Sequence, residues 1–523
     1  MMNTILTVYD SQLPDYKMHF IDALEHTLSQ MDFEVEACTS LHDAIEIAAL
    51  NPRISCILYD WDDFGFEKLH LLADRNHKLP IFAIANKHAD LDINLSDFNL
   101  NLDFLQYDAN LVQDDVDRII IAMDRYHQAV IPPFTKALMH YVDEHNYTFC
   151  TPGHLGGTAF QKTPVGAAFY DFLGPNVFKS DISISIGELG SLLDHSGPHR
   201  AAEKFIADTF GSDRSLIVTN GTSTSNKIVG MYCATGGETV LIDRNCHKSL
   251  THFLMMTDVV PLYLKPTRNA YGILGGIPRK EFSKAAINAK LKAHPHAKTW
   301  PTYAVITNST YDGLFYNVRA IQKHLKVTHL HFDSAWVPYT NFHPIYKNKY
   351  GMSLTPEKGQ VIFETQSTHK LLAAFSQASM VHVKGEYSET VLNENFMMHT
   401  TTSPFYPLVA SCEVSAAMMR GKQGYHLMNE SIELAMDFRR EIKRLKKSTS
   451  DWYYDVWQPA NVKKADCYPL KAEDKWHGFK NIDADHMYLD PVKVTVLLPG
   501  ITAQGKLAKT GIPASIVEKF LSS

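Results

Sequence analysis

Short apolar runs alternate with polar or amphipathic segments along most of this 523-residue chain. In the first 130 residues, four runs have the length and the β-branched or aromatic content typical of strands: TILTVYD, CILYDWD, LPIFAIAN and LDFLQYD. Helical patterns fall between them. This alternation predicts a small doubly wound sheet with helices on both of its faces.

Asp10 and Asp60 fall at the carboxyl ends of two of these strands, so residues 1–130 resemble a receiver domain of the flavodoxin-type fold. A receiver also needs a lysine after its last strand to hold a phosphoryl group, and FLQYDAN contains none. We therefore favour a structural or docking wing over a phosphotransfer domain for this segment.

A second, larger α/β region is predicted beyond a linker at 131–185, which starts at Pro132-Pro133 and contains a helix from about Thr135. The glycine-rich TPGHLGG (151–157) lies in this linker and indicates a tight turn, because it lacks the strand-to-helix context of a dinucleotide site. Six further strand candidates are separated mostly by helical segments, which predicts a mainly parallel sheet: SLIVTN, ETVLID, VVPLYL, YAVITN, THLHFD and QVIFETQS.

Polar residues with distinct chemistry follow several of these strands, at the sheet edge where parallel α/β proteins bind ligands. After SLIVTN, Gly221, Thr222 and Ser223 offer backbone N–H groups and hydroxyls at a helix N-terminus. Such a turn is either a phosphate cradle or a simple N-cap. The other strand ends supply a ring, a carboxylate, hydroxyls and an amine: His247, Asp333, Ser367, His369 and Lys370.

Lys370 comes directly before the apolar stretch 371–375, and a desolvated lysine can lose its proton and act as a nucleophile. The set of strand-end groups matches what pyridoxal 5'-phosphate (PLP) requires: a phosphate cradle, an amine for its aldehyde, an acid for its pyridine nitrogen and a flat neighbour. In this interpretation Lys370 bonds the aldehyde, Asp333 keeps the ring nitrogen protonated and Ser367 binds the phosphate.

Six motifs together are similar to the fold-type-I PLP-dependent lysine/ornithine/arginine decarboxylases of bacteria, above all to their acid-inducible lysine decarboxylase type: TPGHLGG, NGTSTSNK, DRNCHKS, ITNSTYDG, HFDSAWVPYTNF and STHKLLAAFSQAS. The resemblance covers essentially the whole chain. It implies an aspartate aminotransferase-like large domain at 186–418 and a partial small α+β domain at 419–523.

Carried over residue by residue, the resemblance implies that Lys370, His369, Asp333 and His247 are catalytic and that His247 stacks on the cofactor ring. The remaining residues expected to hold or flank the cofactor are Gly221, Thr222, Ser223 and Ser367.

The reaction implied by the resemblance is the decarboxylation of L-lysine to cadaverine and carbon dioxide. It consumes a proton, with Lys370 or His369 as the donor to Cα, and so suits polyamine formation and acid resistance. Arginine and ornithine decarboxylases remain alternatives, because all three substrates have a cationic side chain. An aminotransferase or an aldolase is a further alternative. Release of carbon dioxide would distinguish a decarboxylase from either of them.

Members of this type continue for about 190 residues beyond the position of Ser523, judged from usual domain sizes. The resemblance implies that an acidic stretch recognising the substrate's distal amine lies in that part. A truncated homologue that binds PLP without turnover, or that only oligomerises, is therefore an alternative to an active enzyme.

A homodimer is the expected minimal unit, because fold-type-I active sites resemble one another in lying at a dimer interface. The stretch 397–411 is rich in hydroxyls and aromatics, which makes Thr401 and Ser403 candidates for contact with the neighbouring subunit's cofactor. An ordinary polar loop is the alternative. In full-length relatives the wing would add contacts that assemble dimers into rings.

Composition excludes several other classes of protein. The net charge is −7 and no long Lys/Arg run occurs, which argues against nucleic-acid binding. No stretch of about 18 apolar residues predicts a membrane span. Seven scattered cysteines without a CxxC pair, and a start without a signal peptide, favour a cytoplasmic protein. The 26 histidines include no HExxH, so we predict no metal site.

Overall fold

The computed structural model describes residues 3–65, 68–74, 76, 78–86, 100–144, 146–147, 149–182, 186–448, 455–497, 518–519 and 522. The chain forms two compact units, one of residues 1–132 with 421–426 and one of residues 133–420 with 427–523. The four-part division drawn from the sequence stays a prediction.

The first unit is built on a parallel five-stranded sheet. Its helices and strands are β1 (Thr4–Val8), α1 (Asp15–Ser29), β2 (Glu34–Cys38), α2 (Leu41–Leu50), β3 (Ile54–Asp60), α3 (Trp61–Phe64), α4 (Leu69–Leu72), β4 (Pro80–Ala85), β5 (Asn101–Gln106) and α5 (Val112–Val130). The strand order is β2-β1-β3-β4-β5, and every neighbouring pair is parallel. The doubly wound wing predicted from the sequence is thereby confirmed.

Alternation along β3 shows why this sheet needs helices on both faces. Cys56 and Leu58 are buried in one apolar cluster, whereas Ile57 and Tyr59 are buried in another on the opposite face. Asp60 ends the strand fully buried, and Lys17 of α1 approaches its carboxylate at 3.2 Å. The charge of Lys17 thus partly balances the buried carboxylate at this strand end.

The second unit contains a seven-stranded sheet, three shorter antiparallel pairings and most of the helices. Its elements are α6 (Pro133–Asp143), α7 (Pro164–Leu173), α8 (Pro175–Ser180), α9 (Gly197–Phe210), β6 (Arg214–Val218), α10 (Gly221–Cys233), β7 (Thr239–Asp243), α11 (Lys248–Thr257), β8 (Val260–Leu264), α12 (Lys284–Ala293), β9 (Tyr303–Thr307), β10 (Leu314–Tyr316), α13 (Val318–His324), β11 (His329–Asp333), β12 (Val361–Gln366), α14 (Thr368–Leu371), β13 (Ser379–Lys384), α15 (Glu389–His399), α16 (Tyr406–Met418), α17 (Lys422–Ser448), β14 (Asp455–Val456), β15 (Tyr468–Pro469), β16 (Met487–Leu489) and β17 (Val496–Leu497).

The large sheet has the order β6-β13-β12-β11-β9-β7-β8, and only β13 runs antiparallel to its neighbours. All six strands predicted for it are present, so the mainly parallel sheet is confirmed. β13 was not predicted. The connection from β12 to β13 holds only the four-residue helix α14, and without a full crossover helix the chain returns antiparallel.

Two apolar clusters cover the two faces of this sheet. Ile242 and Phe363 belong to the cluster that also takes in α6, α9, α10, α11 and α16. Ile306 and Phe332 belong to the other cluster, which takes in α12, α13 and α17. The parallel strands therefore end together at one edge of a sheet that is covered on both sides, and the site lies at this edge.

Among the described residues, no helix combines the length and the apolarity that crossing a bilayer requires.

Candidate active site

A cavity of about 510 Å³ opens at the carboxyl ends of the parallel strands. All eight residues that the sequence suggested for catalysis or cofactor binding line it: Gly221, Thr222, Ser223, His247, Asp333, Ser367, His369 and Lys370. Thr401 and Ser403 do not line this cavity. They are exposed between α15 and α16, and their place at a subunit interface stays a prediction.

Lys370 projects from α14, immediately after β12, and is about half buried. Its Nζ lies 4.3 Å from the centre of the Trp336 ring. The apolar flank invoked from the sequence does not desolvate it, because Leu371 and Phe375 are 40% and 54% exposed. Burial lowers the pKa of Lys370, although the charge of Asp333 partly opposes this effect. The cavity thus favours the neutral, nucleophilic amine.

Asp333 is the last residue of β11 and is almost fully buried. Burial raises the pKa of its carboxyl group, while hydrogen bonds and the charges of His247 and Lys370 oppose this rise. The hydrogen bonds come from neutral groups, the Asn226 amide at 2.8 Å and the Ala335 N–H at 3.2 Å. A buried carboxylate bonded by neutral donors is well suited to a cationic ligand atom.

The start of α10 forms the proposed phosphate cradle. Its N-cap Asn220 makes no side-chain capping hydrogen bond, so the positive end of a 13-residue helix faces the cavity. Thr222 Oγ1 lies 2.6 Å from Ser367 Oγ, which joins two hydroxyls from different strand ends. The expectation that Gly221 offers a free N–H is wrong, because this group donates to the Gln377 carbonyl at 2.7 Å. Gly221 instead serves the turn, with φ of +70°.

Two histidines line the cavity, and their Nδ1 atoms make different hydrogen bonds. His247 caps α11, and its Nδ1 accepts the N–H of Ser249 at 3.2 Å. His369 Nδ1 donates to the carbonyl of Ala378 at 2.8 Å. Each ring therefore has Nε2 available for a ligand or a proton.

These groups fit PLP. A helix N-terminus with hydroxyls suits the phosphate, a half-buried lysine suits the aldehyde, and the buried Asp333 suits a protonated ring nitrogen. The cavity volume also falls within the ~300–1,000 Å³ usual for cofactor sites.

Sequence reasoning missed Trp336 and Lys493. Trp336 belongs to the motif HFDSAWVPYTNF, but no role in the site was predicted for it. Lys493 follows β16, and its Nζ donates to Ser309 Oγ at 3.2 Å and lies 5.6 Å from the Trp336 ring centre. Because no predicted strand ends at Lys493, only the fold brings its amine next to Ser309 and Trp336, which line the cavity.

Replacing Lys493 with methionine is expected to stabilise the chain below pH 8. Burial lowers the pKa of Lys493 to about 8; the charge of Asp490 opposes this effect and the charge of Lys370 adds to it. The folded state therefore disfavours the ammonium by at most about 3 kcal/mol, at ~1.4 kcal/mol per pKa unit. Between pH 8 and the higher pKa of an unfolded lysine, the folded chain releases its proton first, so this penalty shrinks as pH rises.

Thermal unfolding of the wild type and Lys493→Met across pH 6–10 tests this expectation. The gain in Tm should be largest at pH 6–7 and should fall toward pH 10. A difference in Tm that does not change with pH would show that the fold places no penalty on the Lys493 charge.

The chain is similar to known proteins over nearly its full length. The family model for the Orn/Lys/Arg decarboxylase major domain matches residues 132–523, and the model for the N-terminal domain of these enzymes matches residues 16–126. A lysine decarboxylase of Hafnia alvei is 55% identical over 99% of this chain and 70% of its own length. The inducible lysine decarboxylase of Escherichia coli K12 is 56% identical over 97% of this chain and 71% of its length.

Solved structures show the same relationship. The crystal structure of the Francisella novicida lysine decarboxylase superposes with a TM-score of 0.96 at 53% identity, covering 100% of this chain and 73% of that one. On the family models and on identity over nearly its full length, the chain belongs to the Orn/Lys/Arg decarboxylase family.

Proposed function

We propose that this chain is a PLP-dependent lysine decarboxylase that converts L-lysine to cadaverine and carbon dioxide. The observation that supports this most strongly is the joint placement of Lys370 and Asp333 in one cavity, beside the α10 N-terminus. The chain shares 55–56% identity with relatives named lysine decarboxylases, which supports lysine over arginine or ornithine as the substrate.

Lys370 would hold the cofactor through its Nζ. Burial lowers the pKa of this amine and so favours the neutral form that would bond the aldehyde of PLP. PLP, when bound, supplies an electron-accepting ring for cleavage of the bond between Cα and the carboxylate.

Asp333 would hold a proton on the ring nitrogen of PLP and so preserve the capacity of the ring to accept electrons. Its burial is essential to this role, because a carboxylate in water would be screened from the ring. Thr222 and Ser367 would bind the phosphate, and His247, which is exposed and lines the cavity, would stack on the ring.

A proton must reach Cα after carbon dioxide leaves, and Lys370 and His369, which both line the cavity, are the candidate donors. Lys370 carries it on Nζ. His369 can carry it only on Nε2, because its Nδ1–H is already bonded to Ala378. Either route removes one proton from solution per lysine, which suits a role in acid resistance and in polyamine formation.

The minimal active unit we propose is a cytoplasmic homodimer in which Thr401 and Ser403 approach the neighbouring subunit's cofactor. Their exposure leaves both hydroxyls accessible to a second subunit. We extend this proposal to rings of dimers assembled through the wing.

The test is carbon dioxide release from carboxyl-labelled L-lysine, L-arginine and L-ornithine by the PLP-loaded chain. The kcat/KM for lysine should exceed the other two by at least about tenfold. Faster release from arginine or ornithine would contradict the substrate assignment. A bound-PLP absorption band without gas from any of the three would show a cofactor-binding homologue without activity.

A further inference from the structure

Four buried side chains behind Asp333 form a continuous series of hydrogen bonds, and none of the four has a role in the proposed reaction. The Asn226 amide donates to Asp333 Oδ2 at 2.8 Å, and Thr365 Oγ1 donates to Asn226 Oδ1 at 2.7 Å. His331 Nε2 lies 2.9 Å from Thr365 Oγ1, and the Tyr303 hydroxyl lies 2.8 Å from His331 Nδ1. Asn226, Thr365, His331 and Tyr303 are completely buried.

Each bond in this series has a defined direction. An ionised carboxylate only accepts, so Asn226 must present its N–H to Asp333 and its oxygen to Thr365. The single hydroxyl hydrogen of Thr365 is then used, so Thr365 must accept from His331 Nε2–H. His331 Nδ1 is therefore unprotonated and accepts from the Tyr303 hydroxyl. Every donor in the series points toward Asp333.

The strand register explains how the sequence builds this arrangement. Asp333 of β11 is the direct partner of Thr365 on β12, and His331 lies two residues earlier on the same face of β11. Tyr303 of β9 is paired with His329, which places its side chain on that face as well. Asn226 approaches from α10, which packs on this face of the sheet.

The chemistry of these groups favours a neutral histidine. Burial lowers the pKa of His331 to about 3, so the ring stays uncharged and keeps one proton. A neutral imidazole can donate from one nitrogen and accept at the other, as this series requires. Because the bonds share a low-dielectric interior, each polarises the next.

We propose that Asn226, Thr365, His331 and Tyr303 are positioning residues that form a one-way hydrogen-bond relay, and that this relay keeps Asp333 ionised and aimed at the ring nitrogen of the cofactor. A proton on Asp333 Oδ2 directed at Asn226 would require all four bonds to reverse together. The relay thus stabilises one protonation state of a carboxylate that burial alone would tend to neutralise.

A branch of the relay reaches the other face of the site. The second N–H of the Asn226 amide donates to Ser249 Oγ at 3.1 Å, and Ser249 Oγ lies 2.9 Å from His247 Nδ1. With its oxygen accepting from Asn226, Ser249 donates its hydroxyl hydrogen to His247. A neutral His247 then carries its proton on Nε2. Asn226 is therefore the branch point that connects Asp333 with His247.

The relay rests on the proposed function, because its purpose is to hold the ring proton of PLP. The decisive variant is Thr365→Val, which keeps the shape of the side chain and removes the central hydroxyl. With PLP labelled at the ring nitrogen with ¹⁵N, the resonance of that nitrogen should move toward its unprotonated value. Turnover should fall roughly tenfold in kcat with KM little changed.

Two companion variants separate the relay from a loss of packing. Thr365→Ser restores a hydroxyl and should recover most of the wild-type resonance and kcat. Tyr303→Phe removes only the outermost donor and should produce a smaller change in the same direction.

A matched control lies in the same sheet. Buried His382 also has its Nδ1 2.7 Å from a serine hydroxyl, that of Ser215, but its other contact is Gln366 and not Asp333. Ser215→Ala should therefore leave the ring-nitrogen resonance unchanged.

The relay is overturned if Thr365→Val shows the same ring-nitrogen resonance as Ser215→Ala, or if ¹⁵N-labelled histidine places the His331 proton on Nδ1. The ring-nitrogen readout needs bound PLP, the histidine readout does not, and neither needs turnover. If the chain binds PLP but releases no carbon dioxide, the proposed function is contradicted, and the relay can still be tested by these two measurements.

Discussion

The variant Lys370→Ala is expected to lose the visible absorption band of bound PLP and to lose carbon dioxide release by at least about 10³-fold. Lys370 brings the amine into the cavity from α14, with its Nζ held over Trp336 and its pKa lowered by burial. Lys493 contacts the same ring, but it donates to Ser309 and does not take over the role. Absorption spectra and labelled lysine measure the two losses separately.

Lys384→Ala is the matched control for this variant. Lys384 is also partly buried with a pKa lowered by burial, but it donates to the Met352 carbonyl and does not line the cavity. Its loss should leave the absorption band in place. If Lys370→Ala keeps the band while Lys384→Ala loses it, the assignment of the amine is wrong.

The variant Asp333→Asn should keep the fold and bind PLP, but lose turnover by about 10²- to 10³-fold. The amide is nearly isosteric with the carboxylate, so the burial of this position at the end of β11 is preserved. A neutral amide cannot hold a proton on the ring nitrogen, and the electron-accepting power of the ring falls. Single-turnover measurements with saturating lysine isolate this chemical step from binding.

Asp243 provides a control carboxylate at the end of β7, which is separated from β11 by β9 in the same sheet. It is equally buried, and burial raises its pKa to about 6, but it accepts backbone N–H groups of Asn245 and Thr307 and does not line the cavity. Asp243→Asn should cost less than about tenfold in turnover. Equal losses in the two variants would show that Asp333 acts through the fold and not through the cofactor.

The part of the site that the sequence predicted consists of residues that directly follow apolar strands. Lys370 and Asp333 could be found in this way, because parallel strands end at one edge of a sheet and an apolar run is visible in a single sequence. His247 and His369 also follow such strands, and the resemblance to the family added their expected catalytic roles. All of these residues line the one cavity.

The parts that were missed depend on which segments become neighbours in space. EVEAC forms the edge strand β2 with exposed polar residues, so it lacks an apolar run. The relay joins Tyr303, His331 and Thr365 on three strands, and only the register brings them into contact. Before the register is known, His331 is one of 26 histidines with no distinguishing neighbour.

The most direct test of the account is to locate PLP on the chain. The protein is loaded with PLP, reduced with borohydride to fix the cofactor on its lysine, digested and examined by mass spectrometry. The account predicts a single modified peptide with the label on Lys370, and none in Lys370→Ala. A label on Lys493 or on a surface lysine instead, or no label on the wild-type chain, would contradict the claim that this cavity holds PLP through Lys370.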